Sequence, residues 1–257
     1  MLVTLLGTGT SGGVPALGCT CQVCQSKNRK DHRLRTAALL ETASTRILVD
    51  AGPDIRQQLL GVEFRRIDAL LITHIHYDHV GGMDDLRPYC YAFNGVDVYA
   101  EEQSVRGLRH MMPYCFPSDP TQLYPGAPIL HLHTIAPHEH LHFGDIEVEP
   151  VRVLHDKMPI LGFRFGKFAY ITDMKSMPDN EYAHLQGVET LVINALRWER
   201  PHHSHQLVAD AIKASRRIGA RHTILTHLTH DIGLHDEANR RLPDGFELGY
   251  DGMKIEV

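Results

Sequence analysis

The chain has 257 residues and a formal net charge of −5, from 26 basic and 31 acidic side chains. Hydrophobic residues make up 43% and charged residues 22%, as in ordinary globular proteins, and no apolar run reaches the roughly 18 residues that span a bilayer. This composition excludes disordered and membrane-spanning chains, and the acidic charge disfavours a nucleic-acid partner without eliminating it. The length predicts a single domain over residues 1–257.

Short apolar and β-branched runs recur along the chain and predict strands. They cover residues 2–6, 46–50, 69–73, 96–99, 146–151, 190–194, 223–226 and 253–257. Two hairpins are predicted, one turning at Gly166-Lys167 and one at Asp251-Gly252. Helical patterns lie between strands, at residues 54–60, from Asp84 onward and at 204–218. The last helix is expected to begin at Ser204 and to end at Gly219. These elements predict a mixed α/β (α+β) fold.

Residues 113–140 are rich in proline and histidine and have weak periodicity, which predicts a long loop or a flap. The histidines in and just after this region are spaced too irregularly for a buried site, so we expect them at the surface: His131, His133, His138, His140 and His142.

The 19 histidines outnumber the 18 aromatic residues (8 Phe, 9 Tyr and 1 Trp), which makes metal chemistry the first hypothesis. Five cysteines are an odd number, and the first residues resemble a strand rather than a signal peptide. We therefore expect a cytoplasmic protein with reduced cysteines.

Four side chains of ligand type follow a predicted strand directly, at His74, His76, Asp78 and His79. Spacings of two place the first two on one side of an extended segment, whereas Asp78 and His79 begin a helix. The four side chains can therefore converge as two pairs on two neighbouring metal ions. Histidines scattered on a solvated loop are the alternative, which the position between a strand and Gly81-Gly82 disfavours.

The segment Thr73-His74-Ile75-His76-Tyr77-Asp78-His79 resembles the His-x-His-x-Asp-His signature of the metallo-β-lactamase-fold hydrolases. Leu48-Val49-Asp50-Ala51-Gly52 is similar to the first motif of that family, with Asp50 behind the ligands. The resemblance implies a four-layer αββα sandwich. It also implies the ligands of two ions, which are His74, His76 and His155 for one, Asp78, His79 and His227 for the other, and Asp173 as the bridge.

Three cysteines stand close together at Cys19, Cys21 and Cys24. Three thiolates leave a tetrahedral site incomplete, and His230 is the best candidate for the fourth ligand because it lies three residues past His227. We therefore predict a separate structural zinc. Buried cysteines without a metal, or a redox cluster, are the alternatives.

The glycine-rich segment 7–15, the cysteine cluster and residues 225–230 together resemble the PhnP-type cyclic phosphodiesterases, which are related to the tRNA 3′-end nucleases of the same fold. In that branch a histidine at a helix start faces the scissile phosphate. His205 is the best positional match, with His202 and His203 as substitutes. The helix N-terminus would itself favour a phosphate.

The resemblance implies a dinuclear hydrolase of small phosphodiesters, above all cyclic ribosyl or nucleoside phosphates, with water activated by two divalent ions of zinc, manganese or iron. Asp78 and His205 are the predicted catalytic residues. Asp78 ligates and orients the nucleophile, and His205, as a cation, protonates the leaving alkoxide. A homodimer is expected from the resemblance alone, and no membrane partner is expected.

Three other functions are compatible with these motifs: a tRNA 3′-processing endonuclease, a thioester or lactone hydrolase of the same fold, and a non-catalytic zinc-binding scaffold. The endonuclease requires a basic surface, and the scaffold does not require a pair of open metal sites. The segment 194–200 departs from the PhnP-type pattern, and the loop predicted over residues 101–142 is long, so the substrate is left open.

Overall fold

The computed structural model describes residues 1–117 and 123–257. Its strands in these ranges are β1 (Leu2–Gly7), β2 (Ala37–Glu41), β3 (Arg46–Val49), β4 (Ala69–Leu71), β5 (Val96–Glu101), β6 (Leu130–Ile135), β7 (Leu141–Phe143), β8 (Ile146–His155), β9 (Met158–Phe165), β10 (Phe168–Ile171), β11 (Thr190–Asn194), β12 (His222–Thr226), β13 (Phe246–Leu248) and β14 (Met253–Glu256). Its α-helices are α1 (Ile55–Leu59), α2 (Tyr77–Val80), α3 (Arg87–Phe93), α4 (Glu102–Met111), α5 (Glu181–His184), α6 (Val208–Ile218) and α7 (His235–Asn239).

The strands form two mixed sheets of seven strands each. The first has the order β14-β1-β2-β3-β4-β5-β6, and the second has the order β13-β12-β11-β10-β9-β8-β7. Buried apolar side chains from both sheets form the central core, among them Val3, Leu40, Phe163 and Tyr170. The alternation of side chains along each strand leaves a second apolar face on each sheet, which a helical layer must cover.

The outer face of each sheet is covered by helices. Ile55 of α1 and Leu108 of α4 pack with the first sheet, and Val208 and Ala211 of α6 pack with the second. The predicted fold class and the four-layer αββα sandwich are therefore confirmed.

The carboxyl ends of several strands meet at one edge of the sandwich. Strands β3 to β6 are parallel in the first sheet and β10 to β13 in the second. Strand β8 has the direction of β10, because both are antiparallel to β9. Side chains that end or directly follow β3, β4, β8, β10 and β12 therefore converge at this edge.

The hairpin predicted at Gly166-Lys167 is confirmed, because Phe165 pairs with Phe168 across an antiparallel ladder. The hairpin predicted at Asp251-Gly252 is wrong. Strand β13 pairs with β12 in the second sheet, whereas β14 pairs with β1 in the first. The segment between them crosses from one sheet to the other, and its Asp251 carboxylate accepts hydrogen bonds from the backbone of Thr8 and Leu34.

The loop or flap predicted over residues 113–140 is wrong in part, because β6 lies within it and pairs with β5. The longer loop predicted over residues 101–142 is also wrong in part, because it contains α4 as well as β6. His131 and His133 are on this edge strand, where they are exposed as expected. His138, His140 and His142 are partly or fully exposed near β7. Residues 118–122 of the predicted flap lie outside the described residues.

The predicted start of the late helix is also wrong. Helix α6 begins at Val208, and the Asp210 carboxylate accepts from the backbone N–H of Leu207 at 3.0 Å, so Ser204 is not the cap. Gln206 cannot enter the helix because its backbone pairs with Leu196. The predicted end is confirmed, since Gly219 has φ of 88°, a left-handed cap.

Within the described residues, every helix is too short or too polar to cross a membrane.

Candidate metal centre

Three imidazoles form what we call the first donor set: His74, His76 and His155. Their ligand nitrogens lie within 4.8 Å of one another. His74 follows the end of β4, and His155 is the last residue of β8, so strands of both sheets contribute to the set. The structure thus brings together the three residues that the resemblance assigns to one ion.

Four side chains form what we call the second donor set: Asp78, His79, Asp173 and His227. Asp78 and His79 are on α2, while Asp173 and His227 follow the ends of β10 and β12. The backbone is left-handed at Asp173 and at His227, with φ of 56° at both. Such conformations cost about 1–3 kcal/mol each and recur at functional sites.

Asp50 lies behind the metal ligands and fixes the orientation of two of them through hydrogen bonds. It is fully buried and accepts hydrogen bonds from the backbone N–H of Thr73 and from Nδ1 of His79, the latter at 2.7 Å. The Thr73 hydroxyl donates its only hydrogen to Asp50, so it accepts from Nδ1 of His74 at 3.0 Å. In the neutral form of both imidazoles the hydrogen is therefore on Nδ1. The lone pair is on Nε2, which faces the site. The sequence contained no signal for the role of Thr73.

His155 is oriented in the same way from another direction. Its Nδ1 lies 2.9 Å from the backbone oxygen of Ser204. Because a carbonyl oxygen can only accept, Nδ1 carries the hydrogen and Nε2 keeps its lone pair. The role of Ser204 rests on a backbone atom, which sequence patterns do not reveal.

The second donor set attracts positive charge. Burial lowers the pKa of His227, but Asp173 and Asp78 outweigh burial and raise that pKa to about 9. Burial likewise lowers the pKa of His79, but Asp173 and Asp50 raise it well above its usual value. Burial raises the pKa of Asp173, yet His227 and His79 hold it well below its usual value. The set therefore requires bound protons or a metal cation to balance its buried carboxylates.

The chemistry of both donor sets fits divalent metal ions. Nε2 of His79 and Nε2 of His227 are buried and have no hydrogen-bond partner among the described residues, although carboxylates lie close by. Burial and the neighbouring imidazoles lower the pKa values of His74 and His76, which keeps both rings neutral and their lone pairs available. Neutral imidazoles and ionised carboxylates are the protonation states that ligate metals.

His205 lies against both donor sets. Its ring centroid is 4.6 Å from that of His155 and 4.7 Å from that of His227, and its Nδ1 lies 3.8 Å from Asp173. Burial, followed by the charge of His227, lowers the pKa of His205 to about 2. Without substrate, this imidazole is therefore neutral. Its ligand atom also lies within 4.8 Å of those of His155 and Asp173.

The two neighbours of His205 lie farther from the donor sets. The ring of His202 is 5.0 Å from that of His205, and His203 is exposed. Of the three histidines, His205 is thus the one in contact with both sets. All three histidines are in the loop that precedes α6 rather than on the helix. The position of His205 therefore does not support the predicted phosphate site at the N-terminus of that helix.

Three cysteines and a histidine form what we call the thiolate set: Cys19, Cys21, Cys24 and His230. Nδ1 of His230 lies 3.3 Å from Sγ of Cys19 and 3.2 Å from Sγ of Cys21. The backbone N–H of Cys24, followed by His230, lowers the pKa of Cys21 to about 6. Three thiolates with one imidazole are typical of structural zinc. The structure thus assembles the four residues predicted for this ion.

Comparison with known proteins adds independent findings. A family model described as the beta-lactamase superfamily domain matches residues 45–228. The chain is 43% identical over 258 residues to an octanoyltransferase of Porphyromonas gingivalis, and the match covers 100% of this chain and 52% of that protein. The chain therefore spans about half the length of this curated relative.

Solved structures resemble the chain over nearly its whole length. A diphosphatase from the PhnP family has a TM-score of 0.90 and 37% sequence identity, covering 99% of this chain and 96% of that one. The short form of human tRNase Z has a TM-score of 0.72 and 18% identity, covering 100% and 99%, which shows the shared fold. The chain belongs to the beta-lactamase superfamily and is a member of its metallo-β-lactamase-fold hydrolases, a fold that implies divalent metal binding.

Proposed function

We propose that this protein is a dinuclear metal-dependent phosphodiesterase that hydrolyses small phosphodiesters, with cyclic ribosyl or nucleoside phosphates as the preferred class. The observation that carries the proposal is the position of His205. This imidazole touches a ligand of each donor set and has no hydrogen-bond partner at Nδ1 among the described residues. Cleavage of an unactivated phosphodiester requires a proton for the leaving alkoxide, and an imidazole beside both metal sites is placed to deliver it once a phosphate binds.

The first donor set would hold one ion and the second donor set the other, with Asp173 between them. Zinc, manganese and iron all suit this mixture of imidazoles and carboxylates. When bound, the two cations supply Lewis acidity that activates water and offsets the charge gathering on the phosphoryl oxygens. The thiolate set would hold a zinc ion with a structural role.

The chain's own residues would orient water and move one proton. Asp78 is half-buried at the start of α2, where its carboxylate can both ligate and accept a hydrogen bond from the attacking water. His205 is neutral at rest, and an anionic phosphate against its ring would raise its pKa. The imidazole would thus take up a proton as substrate binds and donate it to the oxygen of the leaving alkoxide.

Removing the His205 imidazole tests the proton-donor role. His205→Ala should slow hydrolysis of alkyl phosphodiesters by about 10²- to 10⁴-fold, because an alkoxide leaves poorly without a proton. Hydrolysis of bis(p-nitrophenyl) phosphate should fall much less. Metal content should stay unchanged, whereas loss of an ion would make His205 a ligand. Equal losses on both substrates would contradict the role, and a loss in His203→Ala instead would transfer it to His203.

A substrate panel tests the reaction class. The metal-loaded protein would be assayed with bis(p-nitrophenyl) phosphate, 2′,3′-cyclic nucleotides, cyclic ribosyl phosphates, octanoyl thioesters and precursor tRNA. We expect turnover of the small phosphodiesters. Turnover of the thioester alone would favour acyl chemistry, turnover of precursor tRNA at physiological salt would favour the endonuclease, and no turnover would favour the scaffold.

A diphosphate substrate is the second candidate, because the PhnP-family relative with 37% identity is named a diphosphatase. Hydrolysis of a phosphoric anhydride uses the same pair of cations but has a better leaving group, so it depends less on His205. Adding nucleoside diphosphates to the panel separates the candidates.

As for partners and location, we propose that the protein acts on a small phosphorylated substrate, has no membrane partner, forms a homodimer and is located in the cytoplasm.

A further inference from the structure

His205 is carried by a loop without regular secondary structure, residues 195–207 between β11 and α6. Such a loop does not by itself hold an imidazole against two metal sites. Its base is closed by two backbone hydrogen bonds, from Leu196 to Gln206 and from Val208 to Arg197. Between these bonds, Trp198 donates from Nε1 to the backbone oxygen of Ile232 and Arg200 pairs with Asp231, which leaves the His202–His205 turn to be held by other contacts.

Lys175 supplies that support. Its ammonium donates to the backbone oxygen of His202 at 2.8 Å and to that of His205 at 3.2 Å. One side chain thus spans the last turn of the loop and binds the residue that carries the imidazole. Hydrogen bonds from a charged donor are stronger than neutral ones, and this ammonium is partly buried.

The stem of Lys175 begins at a rigid point. Its neighbour Met174 donates from its backbone N–H to the amide oxygen of Asn194 at 2.8 Å and accepts from the amide nitrogen at 3.0 Å. Asn194 is fully buried at the end of β11, and the Gln206 amide donates to its backbone oxygen at 2.7 Å. The backbone from which the Lys175 side chain extends is therefore fixed relative to Asp173, two residues away.

The same turn of the loop also orients a ligand. The backbone oxygen of Ser204, between the two carbonyls that Lys175 binds, accepts from Nδ1 of His155. We propose that Lys175 is a positioning residue, whose ammonium fixes the His202–His205 turn so that the His205 imidazole stays against both donor sets. This inference rests on the proposed function, since it assigns Lys175 to the proton donor of that reaction.

The test compares two lysines that line one cavity of about 280 Å³. Lys175→Met removes the donors and keeps the apolar stem, whereas Lys213→Met is the control because Lys213 is exposed and has no hydrogen bond to the loop among the described residues. Lys175→Met should lower kcat on alkyl phosphodiesters by about 10- to 100-fold, with KM nearly unchanged. Lys175→Arg, which keeps the donors, should recover most of that loss.

A double variant distinguishes positioning from a general structural role. If Lys175 acts through His205, adding Lys175→Met to His205→Ala should cause little further loss of kcat. A loss that multiplies the two single effects would overturn the proposal. Should Lys175→Met fail to fold, Lys175→Gln keeps one uncharged donor nitrogen and should give an intermediate kcat.

Hydrogen exchange of residues 195–207, followed by mass spectrometry, gives a readout that does not depend on turnover. The exchange should be faster in Lys175→Met than in wild type and unchanged in Lys213→Met. Equal exchange in Lys175→Met and wild type would overturn the positioning role even if the enzyme is active. Faster exchange in a protein that hydrolyses no phosphodiester would instead overturn the proposed function and keep Lys175 as the support of the loop.

Discussion

At the scale of single residues, Asp50 shows how a buried carboxylate determines ligand chemistry. It receives Nδ1–H of His79 directly and Nδ1–H of His74 through the Thr73 hydroxyl. Both rings are thereby held in the tautomer that presents Nε2 to the site. Such support of ligands is typically worth 10- to 100-fold in metal affinity, by general experience with metalloproteins.

Asp50→Asn should lower the affinity of the second donor set for zinc by about 10- to 100-fold. The amide NH₂ would face Nδ1 of His79 and donate to it, which favours the tautomer of that ring with its hydrogen on Nε2. Nε2 could then no longer bind a metal. Competition titration with a zinc indicator measures the effect. Asp97→Asn is the control, because Asp97 pairs with His133 at a distant surface. Unchanged zinc affinity in Asp50→Asn would refute this role of Asp50.

His235 makes stability depend on pH. The buried Arg33 lies with Nη2 3.2 Å from Nδ1 of His235, and since a guanidinium only donates, this nitrogen accepts and the ring is neutral. Burial, followed by the charge of Arg33, lowers the pKa of His235 to about 4. Between pH 6.5 and 4 the His235 imidazole binds a proton in the unfolded chain but not in the folded protein. The contribution of the neutral His235 to the free energy of unfolding is therefore complete above pH 6.5 and is lost as pH falls through this window.

His235→Asn should make the free energy of unfolding less sensitive to acid. The amide oxygen can still accept from Arg33, but it does not titrate. Between pH 7 and pH 5 the variant should lose about 2 kcal/mol less stability than wild type. Urea unfolding at both pH values measures the difference. Identical losses in the two proteins would contradict a neutral buried His235.

At the scale of elements, close backbone contacts hold α2 and its ligands in place. A Cβ atom on Gly52 would lie 2.0 Å from the backbone oxygen of Asp78, and one on Gly82 would lie 2.0 Å from the backbone oxygen of Gly52. Because these contacts are with backbone, neither can relax by rotation of a side chain. The turn after β3 can therefore approach α2 only where both positions are glycine.

Gly52→Ala should displace α2 and its ligands Asp78 and His79. We expect a loss of at least about 2 kcal/mol in the free energy of unfolding, together with weaker metal binding by the second donor set. Gly61→Ala is the matched control, since its Cβ would meet Gln58 at an ordinary 3.7 Å. Urea unfolding and metal titration of both variants measure the effect. A stable Gly52→Ala protein with full metal affinity would refute the steric account.

At the scale of the whole molecule, the thiolate set joins distant parts of the chain. Cys19 and His230 are 211 positions apart in sequence. A metal ion held by both would close the N-terminal segment against the turn that follows His227. Binding to the folded chain alone stabilises it by mass action. The site should therefore contribute to stability without taking part in turnover.

Cys21→Ser should remove one zinc ion and lower Tm, while the two ions of the other donor sets stay bound. Metal analysis of protein purified without added metal should fall from three ions to two per chain. His230→Ala should behave in the same way, and Cys90→Ala, a buried cysteine outside the set, should keep all three. An unchanged zinc count in Cys21→Ser would rule out a structural zinc.

The sequence predicted residue types and strand ends better than long-range connections. The segment around His74 was recognisable because its ligands lie within a few residues and follow an apolar run. Sequence patterns miss the short strand β2, which polar residues flank, and the edge strand β6, which lies between Pro128 and Pro137. The start of α6 was misplaced because the backbone of Gln206 is engaged by Leu196, a contact that no local pattern reveals.

The sequence by itself determined which ligand atoms are present and that strands deliver them, since motif spacing and strand periodicity are local properties of a chain. Tertiary structure alone decided that β13 and β14 join different sheets, that His205 rather than His203 touches both donor sets, and that Lys175 holds its loop. These outcomes depend on contacts between segments far apart in sequence, whose free energies arise only when the two sheets pack together.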